Sequence, residues 1–350
     1  MKVEYTIFGE SHGKAIGVVI ENLPAGIEVS EEFILSQMQR RRAKKGGLTT
    51  PRIEEDVPKI LSGVFEGRTT GAPLCAIIEN NNTRSEDYDK TKNLARPSHA
   101  DFTGFMKYKG CNDYRGGGHF SGRLTAPLVF AGAIAKLVLK RKGIYVSAHI
   151  LQVGDVKDDA FSEETLTKEI FLNLSKKDFA VLNDSVKEDM QKIIENAREE
   201  LTSVGGIIQC GVIGMPCGVG SPDKDNLEGI IAKNIFRVPA VKGIEFGLGF
   251  DFAKSYGHEV NDEMVIKDGK VVTTTNYNGG ILGGISNGMP IVLQVAIKPT
   301  PSIAREQNTV NLATMKEEKL VIKGRHDPCI LSRASVVVES AVALSLLEAF

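Results

Sequence analysis

The sequence predicts a fold of mixed strands and helices in one large domain of 350 residues. Runs typical of strands come in pairs joined by turns that contain glycine. Two segments, 124–139 and 334–349, are too apolar for helices with one exposed face, so we expect both inside the core. No low-complexity linker or break in composition divides the chain. Strand pairs and helices recur in both halves of 1–350, which permits a pseudo-duplicated single domain.

Composition and charge exclude several classes of protein. Hydrophobic residues make up 42% and charged residues 25%, as in ordinary globular proteins, and the formal net charge is -1. Nothing global therefore indicates nucleic acid or an anionic membrane as a partner. No run is typical of a membrane span or a signal peptide, so we expect a cytoplasmic protein. The five cysteines form no C-x-x-C pair and the histidines are isolated, which predicts reduced thiols and no metal site.

In the first half, alternating residues predict strands, and Ser30 predicts a capped helix. Ser30 is a preferred N-cap residue, and acidic residues follow it while arginines end the segment, in the order that the helix dipole favours. The predicted elements are strands at 3–8 and 15–22, a helix at 30–42, strands at 57–66 and 73–79, an irregular polar segment at 80–120 and a helix at 121–142.

In the second half, helices and strands again alternate. Ser185 and Glu188 have the spacing of a capping box, which predicts a helix start there. The predicted elements are a strand at 144–153, helices at 163–175 and 185–201, a strand at 204–214, a helix at 226–236, a glycine-dense segment at 278–288, a strand at 290–297 and a helix at 333–349.

The turn between the first two strands carries a carboxylate, a hydroxyl and an imidazole between two glycines, Gly9-Glu10-Ser11-His12-Gly13. It fits G-x-S-x-G, the nucleophile elbow of α/β-hydrolases. We reject that interpretation because a second strand, not a helix, is expected next, and because Ser11 and His12 are adjacent. A serine hydrolase remains a rival to be tested, and a tight turn with a solvated histidine is the plainest alternative.

Four further segments are rich in groups that bind anions or move protons. Glycines before a helix, flanked by arginines, predict a phosphate or carboxylate site near Arg115, with a flexible hinge as the alternative. For the segment with His99 the alternative is a solvated histidine, and for the segment with Asp327 it is an Asp-Pro turn. For the arginine run that begins at Arg40 the alternatives are a solvated helix end and an RNA-binding patch. The segments are Arg96–Asp101, Asp113–Arg123, Lys298–Ser302 with Lys323–Cys329, and Arg40–Lys45.

Together these motifs resemble one family, chorismate synthase, in family order and over nearly the whole chain. Gly-Arg-His-Asp-Pro-Cys and Gly-Gly-Ile-Leu-Gly-Gly-Ile-Ser are its most specific matches. The matching segments are Phe8–Gly13, Arg40–Arg42, Ile60–Gly67, Thr69–Gly71, Arg96–Asp101, Tyr114–Gly118, Pro239–Gly243, Gly279–Ser286, Lys298–Thr300 and Gly324–Cys329.

The resemblance implies a single α+β domain, a β-α-β sandwich with helices between antiparallel sheets, assembled as a homotetramer. It implies a lyase of the shikimate pathway that converts 5-enolpyruvylshikimate 3-phosphate to chorismate by 1,4-anti elimination of phosphate. The reaction requires reduced FMN without net redox change. Some members reduce their flavin with NADPH (NADP-linked), and the absence of a dinucleotide fingerprint in this chain favours an external reductant.

The resemblance also implies roles for individual residues. His12 resembles the acid near the leaving phosphate, His99 the histidine that protonates reduced flavin, and Asp327 the carboxylate involved in removing the C6 proton. Implied substrate contacts are Ser11, Arg41, Arg115 and Arg123. Implied cofactor contacts are His119, Phe120, Ser121, Pro239, Ala240, Gly283, Lys298, Pro299, Thr300, Pro301, Ser302 and Arg325. Because the family often has Arg-Ser where this chain has His119-Phe120, we expect the backbone there to supply the contact.

Overall fold

Two antiparallel sheets enclose a layer of helices in the computed structural model of the chain, which describes residues 2–43, 55–81, 92–322 and 327–350. The strands, numbered along the chain, are β1 (Glu4–Gly9), β2 (Ala15–Glu21), β3 (Lys59–Ser62), β4 (Val64–Phe65), β5 (Arg68–Thr69), β6 (Leu74–Glu79), β7 (Tyr145–Val153), β8 (Val156–Lys157), β9 (Gly206–Ile213), β10 (Val241–Phe246), β11 (Met264–Lys267), β12 (Lys270–Thr273), β13 (Ile281–Leu282), β14 (Ile285–Ser286), β15 (Ile291–Ile297), β16 (Gln307–Asn311) and β17 (Lys316–Leu320).

The helices, numbered in the same way, are α1 (Glu31–Arg41), α2 (Asp101–Tyr108), α3 (Thr125–Arg141), α4 (Lys168–Leu174), α5 (Lys187–Glu199), α6 (Leu227–Ile235), α7 (Gly257–Val260) and α8 (Leu331–Ala349). Tighter 3₁₀ turns occupy Arg115–Phe120, Gly122–Leu124, Asp184–Val186 and Gly249–Lys254.

The first sheet has the strand order β1-β2-β6-β3 and the second has the order β10-β15-β9-β7-β8. Every neighbouring pair in both sheets is antiparallel. On β6 the side chains alternate between buried and partly exposed, so one face of the first sheet lies on the core. The remaining strands form short two-stranded ribbons.

Helices α3 and α8 lie side by side between the two sheets. Helix α3 packs against β2 and β6 of the first sheet, while α8 packs against β7 and β9 of the second. Both helices are buried on nearly all sides, which explains why their sequences lack a polar face. Their backbones approach closely where Gly132 faces Ser340, because a Cβ on Gly132 would overlap the Ser340 side chain. The β-α-β sandwich expected from the family resemblance is therefore confirmed.

A buried group of charges connects α1, α3, α8 and the second sheet. Arg40 donates two hydrogen bonds of 2.6 Å to the carboxylate of Glu339, and Lys136 forms an ion pair with the same group. The backbone N–H of Ala148 on β7 also donates to Glu339, at 2.9 Å. Burial alone would raise the pKa of Glu339, but Arg40 and Lys136 outweigh it and lower that pKa to about 2.

One stretch of the described residues, Gly122–Arg141, is long and apolar enough to cross a membrane by length and composition. The expectation that no run has this character was therefore wrong. Its most apolar 18-residue window is 83% buried inside the fold, however, and it lies between the two sheets. The stretch is thus a core helix in this structure.

Most of the predicted strands and long helices are confirmed, with ends that differ by a few residues. The strand predicted at 57–66 is instead divided at Gly63 into β3 and β4, which belong to different sheets. At α1, Ser30 is the N-cap as predicted, and its Oγ accepts the N–H of Phe33 at 3.2 Å. The helix predicted from 163 begins only at Lys168, where Thr167 provides the cap. Whether the two halves of the chain are duplicated stays a prediction.

Two further predictions about local structure were wrong. The segment 80–120, expected to be irregular, contains α2, which begins where Asp101 accepts the backbone N–H of Arg96 at 3.0 Å; its residues 82–91 lie outside the described part. The Ser185 capping box does not form. Instead Asn183 accepts the N–H of Ser185 at 3.1 Å and caps a 3₁₀ turn that leads into α5.

Candidate active site

The turn between β1 and β2 lies against the glycine segment that follows Arg115. The backbone N–H of Ser11 donates to the carbonyl of Gly118 at 3.1 Å. Nδ1 of His119 donates to the carbonyl of Gly9 at 2.8 Å. These two bonds fasten the turn that carries Ser11 and His12 to a segment more than 100 residues away in the chain.

Backbone geometry explains why glycines are needed at this junction. Gly116, Gly117 and Gly118 have φ angles of 59°, 83° and 53°, in the left-handed region. A Cβ on Gly116 would overlap the ring of His12 and lie 3.0 Å from Oγ of Ser11. A strand, β2, follows the turn, so the strand–elbow–helix arrangement of a hydrolase nucleophile is absent here, as the sequence indicated.

Two polar side chains of the turn are enclosed in this junction. Ser11 is fully buried, and its Oγ has no hydrogen-bond partner among the described residues; His12 is 8% exposed. Arg115 pairs with Asp113 through Nη2 at 2.8 Å and Nε at 2.9 Å. The hydrogen bond from Arg115 lowers the pKa of Asp113, and the nearby charge of His12 contributes in the same direction. We call Ser11, His12, Arg115 and His119 the first cluster.

A second cluster forms where the end of β15 meets the loop before α2, and it contains His99, Lys298, Ala240 and Thr300. Nδ1 of His99 lies 3.0 Å from the carbonyl of Pro97. Nζ of Lys298 donates to the carbonyl of Ser98 at 2.7 Å, and the backbone N–H of Lys298 donates to Ala240 at 2.9 Å. Burial, with a further contribution from Arg96, lowers the pKa of His99 to about 4. Its imidazole is therefore neutral near pH 7 in this state.

Arg96 lies between the two clusters. Its guanidinium makes a two-pronged pair with Asp101, at 2.7 Å and 2.8 Å, and Nη2 lies 3.8 Å from where a Cβ on Gly117 would be. A cavity of about 310 Å³ opens here, within the range usual for small-molecule sites. It is bounded by Arg96 and Asp101 on one side and by Asp113, Gly117 and Phe120 on another.

Asp327 reaches the second cluster through its neighbour Pro328. The Pro328 carbonyl accepts the N–H of Val204 at 2.9 Å, and Oγ of Ser203 donates to the Thr300 carbonyl at 2.6 Å. The carboxylate of Asp327 accepts Nη1 of Arg333 at 2.7 Å. Oγ1 of Thr300 is buried without a hydrogen-bond partner among the described residues.

Arg41 and Arg123, both buried, converge on the carboxylate of Asp56. Nη1 of Arg41 donates to Oδ2 at 2.6 Å, and Nη1 of Arg123 bonds to Oδ1. Burial alone would raise the pKa of Asp56, but the two guanidinium groups outweigh it and hold that pKa below its usual range. Both arginines that were expected to bind the substrate are thus paired with a carboxylate inside the protein. The role of Arg41 and Arg123 as substrate contacts stays a prediction.

The other residues assigned by resemblance occupy turns around these clusters. Phe120 is partly exposed, with its ring centroid 6.2 Å from that of Tyr108, and Oγ of Ser121 accepts the N–H of Arg123 at 3.3 Å. Gly283 lies in the turn between β13 and β14, where no described atom is within 4 Å of an added Cβ. The remaining positions are Pro239, which follows α6, and Pro299, Pro301 and Ser302, which follow β15. Arg325 lies outside the described residues.

Sequence reasoning missed several residues that hold these clusters together. Asp56, Asn80 and Arg333 each contact a residue assigned to the site, but no local motif marks them. Asn80 directly follows β6, and a polar residue at a strand end was the single available signal.

The comparisons with known proteins agree with one another. A family model described as chorismate synthase matches residues 3–350. The chain is similar to a chorismate synthase of Thermococcus kodakarensis, with 48% identity over 346 residues that cover 99% of this chain and 95% of the relative. It is also similar to one of Methanobrevibacter smithii, with 45% identity over 343 residues, 98% of this chain and 93% of the relative. A solved structure titled as a crystal structure of chorismate synthase has 27% identity and a TM-score of 0.75, covering 100% of this chain and 91% of the other.

Proposed function

Since the chain belongs to the chorismate synthase family, a lyase family of the shikimate pathway, we propose how its two clusters divide the elimination of phosphate from 5-enolpyruvylshikimate 3-phosphate. The first cluster binds the phosphate that leaves. The second cluster binds the cofactor, and together with Asp327 it takes part in removing the proton from C6. Arg96 supports this division because it lies beside both clusters: its Nη2 is 3.8 Å from where a Cβ on Gly117 would be, and burial together with the Arg96 charge lowers the pKa of His99.

His12 is the proposed acid for the departing phosphate. The observation that carries this role is the clamping of its ring beneath Gly116, beside the buried Oγ of Ser11, which has no partner among the described residues. A fixed imidazole donates a proton without first losing rotational freedom. Ser11 and Arg115 then bind phosphate oxygens, and Arg115 exchanges its pair with Asp113 for the substrate.

His99 is the proposed proton donor of the second cluster. With a pKa of about 4 its ring is neutral at pH 7, so it must gain a proton when an anion binds. A phosphate or an anionic ring nearby raises an imidazole pKa, because opposite charge favours the protonated form. Lys298, already held against Ser98, adds a second positive charge beside it.

The residues of the second cluster fit a flavin phosphate and ring system. Thr300 carries a buried hydroxyl without a described partner, and Lys298 provides a cation. When bound, reduced FMN supplies the electron-rich ring on which this elimination depends. Lys298 and Thr300 would hold it, and the backbone at His119-Phe120 would line it.

Asp327 is the proposed acceptor of the C6 proton. Its carboxylate is oriented by Arg333, whose Nη1 lies 2.7 Å from Oδ2 while its Nε donates to the carbonyl of Arg41 at 2.8 Å. This pair fixes the direction of the carboxylate. The next residue, Pro328, is held by the N–H of Val204, which fixes the backbone after Asp327.

A homotetramer in the cytoplasm is the assembly and location that we propose. The β11–β12 hairpin supports an assembly, because Met264, Ile266 and Val271 are 64%, 72% and 59% exposed. Adjacent exposed apolar side chains on one ribbon are typical of surfaces that are covered in an oligomer. Sedimentation analysis of the chain, with Ile266→Lys compared with the native sequence, tests this assembly.

Anaerobic incubation with 5-enolpyruvylshikimate 3-phosphate and dithionite-reduced FMN tests the function directly. We expect stoichiometric release of phosphate and formation of chorismate, and no reaction with oxidised FMN. An arm with FMN and NADPH but no dithionite separates internal from external reduction of the flavin, and we expect no turnover there. Absence of phosphate release with reduced FMN would overturn the proposal.

A further inference from the structure

One asparagine side chain holds both ends of the turn that presents His12. Asn80 lies directly after β6, and its Nδ2 donates to the carbonyls of Glu10 at 3.0 Å and of Gly13 at 2.9 Å. The backbone N–H of Asn80 donates to the carbonyl of Lys14 at 3.2 Å. The two carbonyls that share the amide lie on either side of the Ser11-His12 dipeptide, so a single group sets the width of the turn.

The other atom of the same amide is also engaged, which fixes its orientation. Oδ1 of Asn80 accepts Nε–H of Arg123 at 3.2 Å. Arg123 is itself held by Asp56, which in turn holds Arg41. An amide rotated by 180° would place its NH₂ group against the Arg123 donor and its oxygen against two carbonyls. The observed orientation is therefore the one in which every atom of the amide has a complementary partner.

Opposite Asn80, the glycine segment limits the same turn from the other side. Ser11 bonds to Gly118 through its backbone, and Gly116 leaves no room for a side chain above the His12 ring. The turn is thus held between Asn80 and these glycines. A loss of the Asn80 bonds releases only one side, which lets the imidazole move away from the site while the fold stays intact.

We propose that Asn80 is a positioning residue for His12, acting through the carbonyls of Glu10 and Gly13. This inference rests on the proposed role of His12 as the acid. A displacement of about 1 Å at a reacting group costs roughly 100-fold in rate. The effect falls on kcat more than on KM, because the interaction that is lost matters mainly in the transition state.

The first test is Asn80→Asp, which keeps Oδ1 for Arg123 but replaces the NH₂ donor with an oxygen that repels both carbonyls. We expect kcat to fall by roughly 10-fold to 100-fold with little change in KM for the shikimate substrate. The matched control is Asn22→Asp, because Nδ2 of Asn22 also donates to a backbone carbonyl, that of Lys2 at 2.9 Å. The control should keep native kinetics. A native kcat in Asn80→Asp would overturn the proposal.

The second test is a double-mutant cycle between Asn80→Ala and His12→Ala, assayed with reduced FMN, and Asn80→Ser replaces Asn80→Ala if the latter does not fold. If Asn80 acts through His12, the double variant is as slow as His12→Ala alone, since no imidazole remains to be positioned. If His12→Ala is slow and the Asn80 change lowers the turnover of that variant by as much as it lowers native turnover, this inference is overturned and the proposed function stands. Native turnover in His12→Ala overturns the role of His12, and with it this inference.

Discussion

The backbone N–H of Ser11 donates to the carbonyl of Gly118 at 3.1 Å, and this bond joins the first hairpin to the glycine segment before α3. Neither segment alone forms a site. The hairpin supplies the hydroxyl and the imidazole, and the glycine segment supplies Arg115 and the narrow space in which the imidazole is held. The proposed chemistry depends on this junction, so changes at the junction should impair catalysis more than they impair folding.

Gly116→Ala should lower turnover by roughly 100-fold, because the added methyl group displaces the His12 ring. The residue also has a φ of 59°, which costs an L-residue about 1–2 kcal/mol of stability. Steady-state kinetics with reduced FMN and thermal unfolding measure the two effects separately. Gly122→Ala is the control in the same segment, since no described atom lies within 4 Å of its added Cβ. Native turnover in Gly116→Ala would contradict the clamped geometry.

His99 should stay neutral between pH 6 and 8 in the protein without ligands, because burial and Arg96 lower its pKa to about 4. Arg96→Ala should move that pKa upward, since it removes a positive neighbour and leaves the charge of Asp101 unbalanced. Titration of the His99 imidazole by NMR measures its pKa in the native protein and in Arg96→Ala. Arg305→Ala, which removes an exposed arginine paired with Glu200, should leave it unchanged. A native His99 that titrates near pH 6.5 would refute this prediction.

Glu339→Gln should destabilise the protein by about 3–5 kcal/mol at neutral pH, because Arg40 and Lys136 are left buried without their counter-charge. The pKa of Glu339 is lowered from 4.5 to about 2 in the folded state. Its contribution is therefore fully present above pH 4.5 and is lost as the pH falls toward 2. Urea unfolding across this range should show a flatter pH dependence in Glu339→Gln.

Glu306→Gln is the control for Glu339→Gln. Glu306 pairs with Lys319 on the surface, where both side chains are more than half exposed. Exposed pairs contribute about 0–1 kcal/mol, so this variant should unfold almost as the native protein does. If both variants lost the same free energy of unfolding, the burial of Glu339 would not be the cause of the loss, and the prediction would be wrong.

The features that sequence reasoning predicted correctly are local. Ser30 caps α1 with its own hydroxyl, and the apolar character of α3 and α8 on all sides indicated their place between sheets. The turn between β1 and β2 was marked by Gly9 and Gly13. In each case the signal and the structure lie within a few residues of each other, so periodicity and turn chemistry were sufficient.

The features that it missed depend on contacts between distant segments. The carboxylate of Asp56 decides where the guanidinium groups of Arg41 and Arg123 lie, yet these residues are 15 and 67 positions away. Helix α2 was missed because it is short and contains Gly104, although Phe102, Phe105 and Met106 have helical spacing. The β11–β12 hairpin carried a usable signal, the turn dipeptide Asp268-Gly269, which was passed over.

The role of His12 as the acid for phosphate departure is the central claim, and His12→Ala tests it most directly. Phosphate release is measured anaerobically with reduced FMN at saturating substrate, and flavin binding is measured in parallel. His258→Ala, at an exposed position, serves as the control. We predict that kcat falls by about 10²–10⁴-fold in His12→Ala, with flavin affinity unchanged and the control at the native rate. Native turnover in His12→Ala would contradict the account.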